Sequence, residues 1–163
     1  MREKLIIINS TPIIALASID KISLLNELYG KVFIPEAVHN EISAKSGSKA
    51  HLAIEKFQDW VIIKSIQNME AKRFFKVQLH DGEVEVMILG RELEADMLII
   101  DDYLAREYAK YLGFKVTGTL GLLLKAKENG IIECVKPLVN NLVDNGIYID
   151  DKLYQSILEI AGE

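Results

Sequence analysis

The sequence predicts an α/β fold, a three-layer α/β/α sandwich whose central sheet is mostly parallel and covered by helices on both faces. Three observations predict it. Short apolar runs, above all Leu5 to Ile8 and Met97 to Ile100, carry the unbroken hydrophobicity of strands buried on both sides. Stretches with helical spacing lie between such runs, opened by Pro, Asp or Thr and stopped by Gly. The two kinds of segment alternate from end to end, as parallel strands with helical crossovers require.

In order, Leu5 to Ile8 ends at Asn9-Ser10-Thr11-Pro12, and Pro12 suits the first turn of a helix, expected over Thr11 to Ala17. Asp20 is expected to cap a second helix carrying Ile22, Leu25 and Leu28 until Gly30 stops it. Val32 to Ile34 reads as a strand. Pro35 then opens a helix through Ile42, with Ala37, Val38 and Ile42 on its apolar face and Glu36, Asn40 and Glu41 on its polar one. After the Ser46 to Ser48 patch, a helix near His51 to Gln58 leads to a strand at Val61 to Lys64. Asp81 is expected as the N-cap of a helix with Glu83 in its first turn and Val84, Met87, Ile88 and Leu93 at helical spacing. That helix turns near Glu94 to Asp96 into the strand Met97 to Ile100. Leu104 to Leu112 is helical with Gly113 as its stop, Lys115 to Val116 is a short strand, and Thr119 begins a helix through Asn129 that ends at Gly130. Helices over roughly Leu138 to Asn145 and from an Asp150 or Asp151 cap through Ile160 complete the chain.

With 163 residues, half of them apolar, a single domain over 1–163 is expected, its C-terminal helices starting at about 136. The net charge of −5 argues against a broad basic face of the kind that grips nucleic acid. Local basic rims remain, at Lys45 and Lys49, at Lys72, Arg73 and Lys76, and at Lys125 and Lys127, although such spacings more often describe solvated faces. Cys134 is the only cysteine, so no intramolecular disulfide or thiolate cluster is possible and a small buried side chain is expected. No apolar run is long enough for a signal segment or a membrane span, and a soluble, cytoplasmic protein is expected.

The most informative stretch is Leu79 to Asp102. A helix preceding a parallel strand starts at the edge where that strand finishes, so Glu83 and the Asp101/Asp102 pair share one side of the sheet, the side where open α/β sheets keep their ligands. Two bare charges about 4 Å apart repel by about 4 kcal/mol at an effective dielectric near 20. A hard divalent cation, Mg²⁺ or Mn²⁺, would neutralise such acids through oxygen ligands and assist phosphodiester hydrolysis. Each acid also has an ordinary explanation. Asp101 and Asp102 read equally as caps of the helix beginning at Leu104, Glu83 and Glu85 as complements to the positive end of their helix, and Glu41 as part of a solvated face. His39, His51 and His80 fall on separate elements without metal-ligand spacing, and Ser10 and Thr11 read as capping or turn residues rather than parts of a triad.

Taken together, IINSTPIIALASIDKISLLNELYG, IPEAVHNEI, DGEVEVMILGRELEADMLIIDDYLAREYAKYLGFKVTGTLGLLLKAKENGII and VKPLVNNLVDNGIYIDDKLYQSILEIAGE resemble the PIN-domain family, in particular a prokaryotic branch similar to the toxins of toxin-antitoxin pairs. The resemblance implies a Mg²⁺- or Mn²⁺-dependent ribonuclease acting on single-stranded RNA, with metal-site roles for Asn9, Glu41, Glu83 and Asp101, of which Glu41, Glu83 and Asp101 would be catalytic. Asp102 would be a neighbour that ligates or positions water. Thr11 would orient the first-strand residue, and Ser10, Thr117 and Thr119 would line the pocket. It further implies in-line attack by water leaving a 5′-phosphate and a 3′-hydroxyl, an antitoxin protein as partner, and a homodimer. Most PIN nucleases carry Asp where this chain has Asn9, so the site loses one negative charge and both metal affinity and water activation should weaken. A catalytically degenerate PIN domain that binds RNA or a partner is the alternative. A receiver-type phosphoacceptor domain is the remote one, because IIDD, VTGT and VKPL look like its signatures, but they occur in the wrong order for it.

Overall fold

The computed structural model describes residues 3–75 and 79–163, and Lys76, one of the expected rim cations, lies outside them. The described elements run β1 (Ile6–Ile8), α1 (Ser10–Ser18), α2 (Ser23–Tyr29), β2 (Val32–Pro35), α3 (Glu36–Ser43), α4 (Lys49–Lys56), β3 (Val61–Lys64), α5 (Met69–Phe75), α6 (Asp81–Glu92), β4 (Met97–Ile99), α7 (Tyr103–Tyr111), β5 (Val116–Thr117), α8 (Thr119–Glu128), α9 (Lys136–Asp144) and α10 (Asp151–Ala161). Among the described residues the sheet has five strands in the order β3-β2-β1-β4-β5, every neighbouring pair parallel. This is the α/β/α sandwich expected from the alternation.

The sheet holds because its central strands have no polar side to turn outward. Ile6, Ile7 and Ile8 of β1 and Leu98, Ile99 and Ile100 at β4 are all 0% exposed, and burying each such side chain contributes about 1.5–3 kcal/mol. The strand order reverses between β1 and β4, and the crevice beyond their carboxyl ends is where an open α/β sheet leaves room for a ligand. Ile8 pairs with Ile99 and Ile99 with Thr117, so Asn9, the Asp101/Asp102 pair and the end of β5 finish along one edge.

Helix α6 delivers Glu83 to that edge. Every residue from Gly82 to Gly90 is buried, which is the pattern of a core helix. Gly90 lets it approach β4 closely: a Cβ there would stand 3.0 Å from Leu98 Cδ2 and 3.1 Å from Phe114 Cε1.

Three expectations are corrected, and one helix was not expected. Asp20 does not cap α2, whose N-cap is Ile22; it sits instead in a turn at φ 55°. The N-cap of α6 is His80, and Asp81 is its first helical residue. Helix α5 has no buried residue among its Met69–Phe75 span, so no apolar stripe announced it. Cys134 is exposed, in the irregular segment before α9. Among the described residues no helix is long and apolar enough to cross a membrane.

Candidate metal centre

Burying nine consecutive residues of α6 takes two carboxylates, Glu83 and Glu85, out of water, and a buried charge demands a partner. Glu85 has its partners. Its Oε2 accepts from Lys72 Nζ at 2.6 Å and its Oε1 from the Ala37 N–H at 3.1 Å, which ties α5, α6 and the first turn of α3 together. Lys72 is thereby held in its charged form, its pKa raised chiefly by that hydrogen bond.

Glu83 is served on one side only. Its Oε1 accepts from the His80 N–H at 3.1 Å, completing the first turn of α6, whereas Oε2 is buried and has no hydrogen-bond partner among the described residues. Burial raises its pKa first; the neighbouring charges of Asp102 and Glu41 push the same way, against the His80 N–H and the His80 ring, which lower it. Glu83 therefore carries a cost in its ionised state that an incoming cation would relieve.

Asn9 has the matching defect. It is the N-cap of α1, yet its side chain makes no cap hydrogen bond, and Pro12 in the first turn has no N–H to offer it; the Asn9 N–H itself donates to Ile99 O at 2.9 Å. Its Oδ1 is the second buried oxygen without a partner. Leaving a buried acceptor unsatisfied costs about 1–3 kcal/mol.

Gly82 joins this edge to α3. A Cβ at that position would lie 3.2 Å from Asn9 Oδ1 and 3.3 Å from Glu41 Oε2; without one, both oxygens close on the first turn of α6. Glu41, though exposed, is not simply solvated, since its Oε2 accepts from Ser10 Oγ at 2.8 Å. Ser10 is itself 2% exposed and so positions Glu41 from beneath rather than facing a pocket.

The structure thus brings together Asn9, Ser10, Glu41, Glu83 and Asp102. Asp102 caps α7 through Oδ2, which accepts from the Ala105 N–H at 2.9 Å. Asp101 is turned away: its Oδ1 accepts from the Thr119 N–H at 2.7 Å and its Oδ2 from Thr119 Oγ1 at 2.6 Å, so it caps α8 across the sheet. Thr11 makes no hydrogen bond to Asn9 and lies with Asp101, Thr117 and Thr119 around a separate pocket of about 500 Å³. On the other flank, a cleft of about 610 Å³ is lined by Glu41, Lys72, His80 and Gly82.

Among the described residues no three His, Cys, Asp or Glu side chains already form a cage around one point. The donors that do converge are hard oxygens, one amide and several carboxylates, two of them buried and unsatisfied. That set fits Mg²⁺ or Mn²⁺ and not a soft metal.

Four residues that matter here were not singled out by sequence reasoning. Glu85 was read only as a dipole complement. Gly82 and Gly118 act through the side chain they lack, which shows only once their neighbours are placed. Arg106, one helical turn after Asp102, lies beside Gly118, where an added Cβ would meet Asp101 Oδ1 at 2.7 Å and Arg106 Nη1 at 3.2 Å; its spacing from Asp102 was the available signal.

A family model, DUF3368, described as a PIN domain, matches residues 5–163. No curated protein matches the chain.

Proposed function

The chain belongs to the PIN-domain family, and from that premise we propose that it is a divalent-metal-dependent ribonuclease hydrolysing phosphodiesters of single-stranded RNA at the edge where β1 and β4 end. PIN domains are of nuclease type and generally use divalent metal ions. The observation that carries the proposal for this chain is the pair of buried, unpartnered oxygens, Asn9 Oδ1 and Glu83 Oε2. Structures keep such atoms rarely, and a bound ion is one of the partners that accounts for them.

Asn9 Oδ1, Glu83 Oε2 and Glu41, the last oriented by Ser10, would hold the ion, with Mg²⁺ or Mn²⁺ equally suited to the oxygens. When bound, the ion supplies Lewis acidity toward the phosphate and makes water a better nucleophile near neutral pH. Asp102 keeps Oδ1 free while Oδ2 caps α7, so it can orient the attacking water and accept its proton. The new bond joins water oxygen to phosphorus, the P–O3′ bond breaks, and the departing 3′-oxygen takes a proton from solvent to become a hydroxyl. Asp101 would have to exchange its Thr119 contacts to ligate.

The test is cleavage of end-labelled single-stranded RNA in Mn²⁺. Cleavage that stops in EDTA and in Glu83→Gln is expected; cleavage that survives Glu83→Gln would overturn the assignment. The second reading, a degenerate domain that binds without cutting, draws on Asn9 itself. It prevails if the wild type neither cleaves nor binds Mn²⁺ while Asn9→Asp gains both.

A further inference from the structure

The cations read from the sequence as basic rims are largely spoken for. Lys49 pairs with Asp20 at 3.4 Å, Lys72 with Glu85 at 2.6 Å, Lys125 with Glu128 at 3.6 Å and Lys127 with Glu163 at 3.0 Å. The side chains of Lys45, Arg73 and Arg106 make no hydrogen bond or ion pair among the described residues, but Lys45 and Arg73 are exposed, whereas Arg106 is half-buried on α7. Asp101, which like Arg106 borders Gly118, makes no ion pair with it, and both of its carboxylate oxygens accept from Thr119.

Arg106 and Asp101 line a pocket of about 500 Å³ together with residues of α1, α8 and the C-terminal helices. Much of the rest of its lining is aliphatic, with Leu142, Leu153 and Ile157 among it, a surface that disfavours a phosphate but accepts a flat uncharged ring. Its size suits a small organic group. Tyr148 stands on the rim, 88% exposed. A free guanidinium, an apolar slot and an exposed aromatic ring are the parts by which unpaired nucleotides are held, the first on phosphate and the others on the base. The pocket adjoins the acids, since Asp101 borders it and Asp102, the next residue, lies close enough for its charge to act on Glu83.

We infer that this pocket is a subsite for one unpaired nucleotide of the RNA strand, with Arg106 on its phosphate, Tyr148 stacked on its base and the aliphatic wall behind it, next to the phosphate presented to the acids. The inference rests on the ribonuclease reading for the identity of the strand. It makes Arg106 and Tyr148 binding residues and requires a base free to leave its stack, so duplex RNA is excluded.

The test measures binding without cleavage, by fluorescence anisotropy of a labelled single-stranded RNA decamer with the full chain in EDTA. The single strand should bind at least tenfold tighter than a duplex of the same sequence. Arg106→Ala should weaken it about tenfold and flatten the salt dependence by about 0.7 in log–log slope, one phosphate contact on a single strand. Tyr148→Ala, at an exposed position that does not endanger folding, should weaken it about fivefold or more with the slope unchanged. Mn²⁺ affinity should stay at the wild-type value in both variants. Decamer affinity equal to wild type in both variants, or equal affinity for duplex, overturns the inference even if Mn²⁺-dependent cleavage persists. The same holds if Tyr148→Ala instead changes the mass in light scattering, which would mark a protein-docking face. RNA effects as described in a chain that binds no Mn²⁺ would retain the subsite and remove the nuclease.

Discussion

Replacing Gly82 by alanine separates folding from metal binding. In a helix the change ordinarily stabilises by about 0.5–1 kcal/mol, through the lost backbone freedom of glycine in the unfolded chain. Here the new methyl would meet Asn9 Oδ1 at 3.2 Å, Glu41 Oε2 at 3.3 Å and Val38 Cγ2 at 3.3 Å, so something must give by a few tenths of an ångström. Val38 is 0% exposed and cannot. The two oxygens, each at the end of a side chain, give instead, and they are proposed ion donors. Folding stability should therefore stay within about 1 kcal/mol, or about 2–4 °C in Tm for a chain of this size. Mn²⁺ affinity should fall about tenfold or more, as it does when ligand positioning is disturbed. At a Mn²⁺ concentration of about 100 times the wild-type Kd the ion stabilises the wild type by about 2.7 kcal/mol, and a tenfold weaker variant by about 1.4. The difference, about 1.3 kcal/mol, appears as a Mn²⁺-induced rise in Tm smaller by about 3–5 °C. Thermal unfolding with and without Mn²⁺ reads both quantities. An unchanged Mn²⁺ increment in Gly82→Ala would refute the placement of Asn9 and Glu41 around the ion.

Two further outcomes follow from ion pairs away from the ion site. Lys72→Met leaves Glu85 buried with only the Ala37 N–H, and urea unfolding should show a loss of about 3 kcal/mol; a change under about 0.5 would mean that the pair contributes little. The Glu163 carboxylate accepts from the Val135 and Lys136 N–H groups and from Lys127, which lower its pKa to about 2, the two backbone donors foremost. A depressed folded pKa gives stability that is present above the ordinary carboxylate range and is lost as pH falls toward about 2. Glu163→Gln should accordingly lower Tm at pH 7 and converge on the wild type as the pH approaches 2; a deficit constant across that window would contradict the linkage.

What the sequence made legible was local. Unbroken apolar runs gave four of the strands nearly to the residue, and Gly30, Gly113 and Gly130, all at positive φ, ended their helices as expected. That Glu83 and the Asp101/Asp102 pair share one edge also followed from the order of helix and strand, while Asn9 entered through the resemblance. What was not legible depends on contacts between distant segments. Asp101 and Asp102 look equivalent in sequence, but Thr119, eighteen residues on, takes up the first and leaves the second facing Glu83. The Ser10 contact that orients Glu41 spans 31 residues. Lys72 looked like part of a basic rim because nothing near it in sequence betrays its pairing with the buried Glu85. Helix α5, with no buried face, offers no period to read.

The most direct measurement is isothermal titration of Mn²⁺ into the wild type and Glu83→Gln at neutral pH. Glu83→Gln keeps an oxygen for the His80 N–H while removing the buried charge, so the variant should fold at least as stably as the wild type. The expected result is saturable binding of Mn²⁺ by the wild type, weakened at least tenfold in the variant. No binding by the wild type, or equal binding by both proteins, would contradict a metal site built on Asn9 and Glu83.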